Sequence, residues 1–300
     1  MTDICIIGAG IAGLTAAIYA QRAGLSAILL EKNIYGGQMT ESAEIDNYPC
    51  LPHTDGVTLA NAAYEQAVEL GAQVLFENVT GIDASGEVKK VFTDAGVHEA
   101  KTIIIANGAK RRLLGCDGEE RLSCHGVSYC ATCDGAFHRK KQTAVVGGGN
   151  TALEDALFLS NLCEKVYLIH RRQEFRGDSV LVNAVKQRSN IELLLDAQVS
   201  RITGESSVDG ADVSFKDGSQ RHLELSGVFV AVGLIPDTEI FKDTVATDGA
   251  GYIIADETGV TSAPGVFVAG DCRTKSLRQI ITAAADGANA ATSAFAYLAK

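Results

Sequence analysis

The chain has 300 residues, 46% hydrophobic and 21% charged, which suits about two globular domains and excludes disorder or a collagen-like repeat. Lys and Arg number 26 against 37 Asp and Glu, a net charge of −11, which argues against nucleic acid or an anionic membrane surface as a partner. No run reaches the ~20 apolar residues of a membrane helix, the N-terminus lacks the basic start of a signal peptide, and the eight cysteines are too sparse for a disulfide scaffold. A cytoplasmic location is expected, where a disulfide is more often catalytic than structural.

In chain order, Asp3 to Ile7 is a short apolar run suited to a buried strand. It enters Gly8-Ala9-Gly10-Ile11-Ala12-Gly13, followed by an Ala-rich helical stretch to Arg22 with Gly24 as its stop signal. A second strand, Ala27 to Leu30, ends at Glu31. This is a βαβ unit opening with G-x-G-x-x-G. Strands are also expected at Ala72 to Phe76 and Thr102 to Ala106. A second βαβ unit begins at Thr143 to Val146 and runs through Gly147-Gly148-Gly149-Asn150-Thr151-Ala152, a helical stretch to Leu162 and a strand from Val166 to Ile169. Strands at Gly227 to Val232 and Gly265 to Ala269 and an Ala-rich helix from Ile280 to Leu298 complete the pattern. The fold class is α/β, with two Rossmann-like (three-layer ββα) dinucleotide-binding domains.

In each unit the glycines, Gly8, Gly10 and Gly13 or Gly147 and Gly149, permit a tight turn and close approach of a pyrophosphate to a helix N-terminus. The ends of the second strands differ. Glu31 is placed to hydrogen-bond an adenosine ribose, as in FAD or NAD. The second unit has no acid at the strand end but carries His170, Arg171, Arg172 and Arg176, which suit the 2′-phosphate of NADPH, with Asn150 and Thr151 at the helix start. One site of each kind suggests hydride flow from NADPH to a bound flavin.

Cys130-Ala131-Thr132-Cys133 is a C-x-x-C motif just ahead of the second unit, and reads as a redox disulfide. Asp134 follows and can act as acid or base for a thiol. A zinc site built from Cys124, Cys130, Cys133 and His138 or His125 is the competing reading, although a single C-x-x-C departs from common zinc spacings, and no metal is expected. Cys5 and Cys163 read as small core residues.

Across essentially its whole length the sequence resembles the low-molecular-weight, prokaryotic-type thioredoxin reductases. The resemblance rests on the two glycine motifs, Gly36-Gly37-Gln38, Cys130 to Gly135, His170 to Arg176, Gly265 to Asp271, and Arg278-Gln279. It implies that one domain is inserted in the other: 1–112 and 241–300 for FAD, and 113–240 for NADPH and the disulfide. It also implies that Gly36, Gly37, Gln38, Asn47, Gly270, Asp271, Arg278 and Gln279 bind FAD alongside the first glycine motif and Glu31. The implied activity is NADPH-dependent reduction of thioredoxin by a homodimer. Hydride passes to FAD, electrons go on to the Cys130–Cys133 disulfide, and thiol–disulfide exchange with thioredoxin follows, with Asp134 managing protons and the inserted domain rotating between two states. A related flavoprotein reductase or a dithiol oxidase with another partner is the alternative. Asn107, Cys50 and Cys116 depart from the usual pattern.

Overall fold

The computed structural model describes residues 1–42 and 44–300. The chain forms two compact units, one of residues 1–110 and 235–300 and one of residues 111–234. The sequence reading places these divisions after 112 and after 240. The second falls earlier because Asp237 pairs with Lys32 of the first unit and Thr238 donates through Oγ1 to Gly251 O of the same unit.

The first unit is built on a seven-stranded sheet. Thr2–Ile7 lies between Ala27–Glu31 and Val97–Ile105, both parallel to it, and Val266–Val268 adds in parallel to Val97–Ile105. Lys89–Thr93 and Val79–Asp83 extend the sheet as an antiparallel pair. The central strand is apolar on both faces because both are covered. Ile4 and Ile6 pack with Leu14, Ala17 and Ala290 from the helices Ile11–Arg22 and Ile280–Leu298. Cys5 and Ile7 face the opposite side, with Val91, Val245 and Ile253.

The second unit has a five-stranded parallel sheet with Gln142–Val146 at its centre, between Lys165–His170 and Gly227–Val230. Its two faces are again set by the period of two. Val145, Val166, Leu168 and Phe229 pack on Ala152, Leu153, Ala156 and Leu159 of the helix Asn150–Ser160. Ala144, Val146, Tyr167 and Ile169 pack on a three-stranded antiparallel sheet spanning Ala197–Thr203, Gly210–Phe215 and Gln220–Glu224. Each unit is thus layered helix, parallel sheet, antiparallel strands. Cys163 is buried in the second core as Cys5 is in the first. Among the described residues no helix is long and apolar enough to cross a membrane.

Candidate functional site

In the first unit the turn after Thr2–Ile7 opens into a cleft of about 780 Å³. Gly8 and Gly10 form one wall, with Glu31 at the end of the neighbouring strand. The Glu31 carboxylate accepts from Ala9 N at 2.9 Å and Asn33 N at 3.0 Å, so it is fixed beside the turn with lone pairs left for ribose hydroxyls. Gly36 N donates to Ala9 O at 2.8 Å, docking the Gly36-Gly37-Gln38 segment against the same turn. Gly270, Asp271 and Gln279 line the far side. Gly270 N donates to Asp286, a buried carboxylate that also accepts from Arg273 and Lys275, which anchors the turn carrying Asp271.

Three expected residues stand behind or beside this wall. Gly13 packs within the first helix, where a Cβ would lie 1.9 Å from Gly8 O. Asn47 donates through Nδ2 to Gln279 Oε1 at 3.0 Å. Arg278 lies over the Tyr252 ring at 4.2 Å.

The cleft fits FAD on structural grounds. Asn107 Oδ1 and Asp271 Oδ1 are buried without a hydrogen-bond partner, and both residues line the cleft. Such atoms call for a polar ligand. Burial pushes the Asp271 carboxyl upward, against the opposing pull of Lys275 and Arg278. A Cβ at Gly10 would meet nothing within 4 Å, leaving the backbone open to a pyrophosphate. Lys32 and Lys110 bracket Asp237 at 2.7 and 3.3 Å on the cleft wall. Burial pulls Asp237 upward, but the two lysines outweigh it and hold its carboxyl below the usual range. Neither lysine belongs to a motif, and the Lys32–Asp237 pair spans 205 residues, so no local pattern announces it.

In the second unit Gly147 and Gly149 lead into the helix that starts at Asn150. Asn150 donates from Nδ2 to Asp178 and accepts at Oδ1 from Asp178 N, pinning the basic loop to the helix start, while Thr151 is exposed. Arg171, Arg172 and Arg176 line a pocket of about 450 Å³ with Lys216, which the sequence did not indicate. This is a cationic concavity that suits a phosphomonoester. His170 takes a different part from the one expected. It is 4% exposed, stacks on Phe175, and hydrogen-bonds through Nε2 to Glu174 O. A Cβ on Gly148 would stand 2.2 Å from its ring. Burial pushes its pKa down, with help from Arg176, Arg171 and Arg172, so at neutral pH it is an uncharged wedge beneath the turn.

Cys130 and Cys133, in the same unit, are joined as a disulfide, which takes both sulfurs out of the alternative zinc set. Cys130 caps the start of a short helix, Ala131–Asp134, and Cys133 lies within it; Cys133 N and Asp134 N both donate to Cys130 O. Burial pushes the Asp134 carboxyl above its usual range, opposed by Ser128 and Arg111. Ser128 Oγ lies 2.5 Å from Asp134 Oδ2, and Arg111 lies over the Tyr129 ring at 4.8 Å. A carboxyl held in this way takes up a proton more readily than a solvated one, which suits an acid or base beside a thiol.

Comparison with known proteins adds to these findings. The profile of the pyridine nucleotide-disulphide oxidoreductase family matches residues 2–287. The chain is 41% identical to a thioredoxin reductase of Listeria monocytogenes over 298 residues, covering 99% of this chain and 93% of the relative. The crystal structure of a thioredoxin reductase from Streptococcus pyogenes is 41% identical and matches with a TM-score of 0.95 over 100% of this chain and 98% of that one. A Giardia duodenalis thioredoxin reductase structure is 37% identical, with a TM-score of 0.96 over 100% and 99% of the two chains.

Proposed function

Because the chain belongs to the pyridine nucleotide-disulphide oxidoreductase family, we propose that it is a thioredoxin reductase, which uses NADPH and bound FAD to reduce the disulfide of thioredoxin. The observation that carries this reading is the Cys130–Cys133 disulfide beside a half-buried Asp134, in the unit that also holds the basic pocket. FAD, when bound, supplies two-electron acceptance from NADPH and delivery to a disulfide. The protein's part is to hold, orient and protonate. Gly8, Gly10, Gly13 and Glu31 seat the pyrophosphate and adenosine ribose of FAD. Gly36, Gly37, Gln38, Asn47, Gly270, Asp271, Arg278 and Gln279 serve the rest of that cofactor. Gly147, Gly149, Asn150 and Thr151 present the second turn to NADPH, and Arg171, Arg172 and Arg176 take its 2′-phosphate.

Once reduced, one thiolate of the Cys130–Cys133 pair attacks a disulfide sulfur of thioredoxin and expels a thiolate, giving a mixed disulfide. The second cysteine then attacks that bond. The Cys130–Cys133 disulfide reforms, and thioredoxin leaves carrying two electrons and two protons. Asp134 supplies and removes protons at the cysteine pair. The enzyme works as a homodimer in the cytoplasm.

The test is anaerobic NADPH oxidation by the purified protein with a thioredoxin as acceptor. Either Cys130→Ser or Cys133→Ser is expected to lower turnover at least about 1,000-fold while NADPH still bleaches the flavin. Turnover that survives in both variants overturns the reading.

A further inference from the structure

Building on the reading of Asp134 as the proton carrier of the cysteine pair, we propose that Ser128 is a positioning residue whose hydroxyl keeps Asp134 docked on the Cys130 backbone in both protonation states. Ser128 is 4% exposed and lies in the short strand Val127–Ser128, in parallel register with Phe229 of the central sheet. Its Oγ has three polar neighbours: Asp134 Oδ2 at 2.5 Å, Cys130 N at 3.1 Å and Cys130 O at 3.3 Å. A serine hydroxyl has one proton to give and two lone pairs to receive.

This arithmetic admits two complete arrangements. With Asp134 ionised, Oγ accepts from Cys130 N and donates its proton to Oδ2. With Asp134 protonated, the carboxyl donates to Oγ, which still accepts from Cys130 N and turns its own proton to Cys130 O, a carbonyl it then shares with Cys133 N and Asp134 N. The hydroxyl rotates about its C–O bond and no heavy atom has to move. Asp134 can therefore take up and release a proton without leaving its place beside the redox pair.

A purely structural role explains less. The Cys130–Asp134 turn is already closed by Cys133 N and Asp134 N donating to Cys130 O, at 3.2 and 3.1 Å. The bond from Ser128 to the carboxylate adds nothing to that closure. Arg111 is the other described group that favours the ionised form, through its charge. An alanine at 128 would leave Arg111 and the turn in place and remove the donor that adapts.

The test uses the FAD-loaded enzyme and three variants, Ser128→Ala, Ser128→Thr and Asp134→Asn, measuring thioredoxin turnover against pH at saturating NADPH. Asp134→Asn is expected to remove one limb of the profile. Ser128→Ala is expected to keep that limb but move it up by about one pH unit, because the ionised carboxyl loses a donor. It should also lower kcat about fivefold to tenfold with the KM for NADPH unchanged, and Ser128→Thr should restore both. A wild-type profile in Ser128→Ala, beside a lost limb in Asp134→Asn, overturns the role of Ser128 and leaves that of Asp134 standing. An Asp134→Asn profile that keeps the limb overturns the Asp134 reading itself, and this proposal with it. Infrared difference spectra of the wild type against Asp134→Asn keep the question open to refutation if Ser128→Ala does not fold. A carbonyl band of a hydrogen-bond-donating acid at low pH is expected, and the band of a free acid overturns the proposal.

Discussion

The two glycine turns share a sequence signature and a place at the end of a central parallel strand, yet they are finished differently. At the first, the middle glycine, Gly10, faces open space, and the neighbouring strand ends in a carboxylate bonded to the turn. At the second, the matching glycine, Gly149, is equally open, but Gly148 before it, in the place of Ala9, is covered by the ring of His170, and the neighbouring strand runs on into arginines. The first turn thereby becomes the wall of a cleft of about 780 Å³ with orphaned polar atoms in it. The second borders a smaller cationic pocket of about 450 Å³. What distinguishes the two sites is the residue that follows the second strand and whether its side chain turns under the loop or out toward the ligand.

The sharpest way to break this comparison is to put a methyl group on the two glycines of the first turn separately. Gly8 has φ +101°, and a Cβ there would lie 2.5 Å from Ala106 O, whereas a Cβ on Gly10 meets nothing within 4 Å. Gly8→Ala is expected to cost about 3 kcal/mol or more and to yield protein without flavin. Gly10→Ala should keep wild-type stability and weaken FAD alone, as read by denaturant melts of the apoprotein and by flavin fluorescence titration. Equal losses of stability in the two variants would contradict the assignment of Gly10 to the ligand.

Next in size is the basic pocket. Replacing Arg171, Arg172 and Arg176 together by Gln should lower the NADPH-over-NADH ratio of kcat/KM about 100-fold, since each removes a charge-assisted bond to the 2′-phosphate. His170→Gln, by contrast, should leave that ratio near wild type, because His170 is buried and neutral. A ratio unmoved by the triple change would remove the pocket from the NADPH site.

The smallest effect concerns acid. The two buried histidines among the described residues, His138 and His170, both lie in the second unit. Burial pushes His138 down to about 4, with Lys141 adding to the effect, while an unfolded histidine takes up its proton near 6.5. Between these values the unfolded chain binds more protons than the folded one. Stability contributed by this group therefore falls as pH drops through that window, by about 2 kcal/mol between pH 7.5 and 5.0. His138→Gln should flatten the pH dependence of the urea transition by that amount, whatever it does to stability at pH 7.5.

Much of this architecture was legible before any coordinates. The strand–turn–helix units, the C-x-x-C and the final helix are written in stretches of under about 20 residues, where period, turn chemistry and spacing act together. The helix Ile280–Leu298 begins and ends where its Ala-rich pattern does. The antiparallel strands Val79–Asp83, Lys89–Thr93 and Ala197–Thr203 escaped, since they interleave Asp, Lys and Arg with their apolar positions and hold no continuous run. Ser128 was overlooked beside Asp134 because a serine at that spacing has no signature until its hydroxyl is seen 2.5 Å from the carboxylate.

The amino-acid sequence by itself determined two dinucleotide turns, an acid after one and arginines after the other, and a cysteine pair able to close on itself. These follow from local sterics and short-range spacing, which operate wherever the chain goes. Tertiary structure alone decided that Asn47 meets Gln279, 232 positions away, and that Lys32 meets Asp237. It also turned His170 under its loop and left Asn107 and Asp271 with unpartnered oxygens in a cleft. Those outcomes depend on how sheets and helices stack, which brings distant residues together without any repeating pattern along the chain to record it.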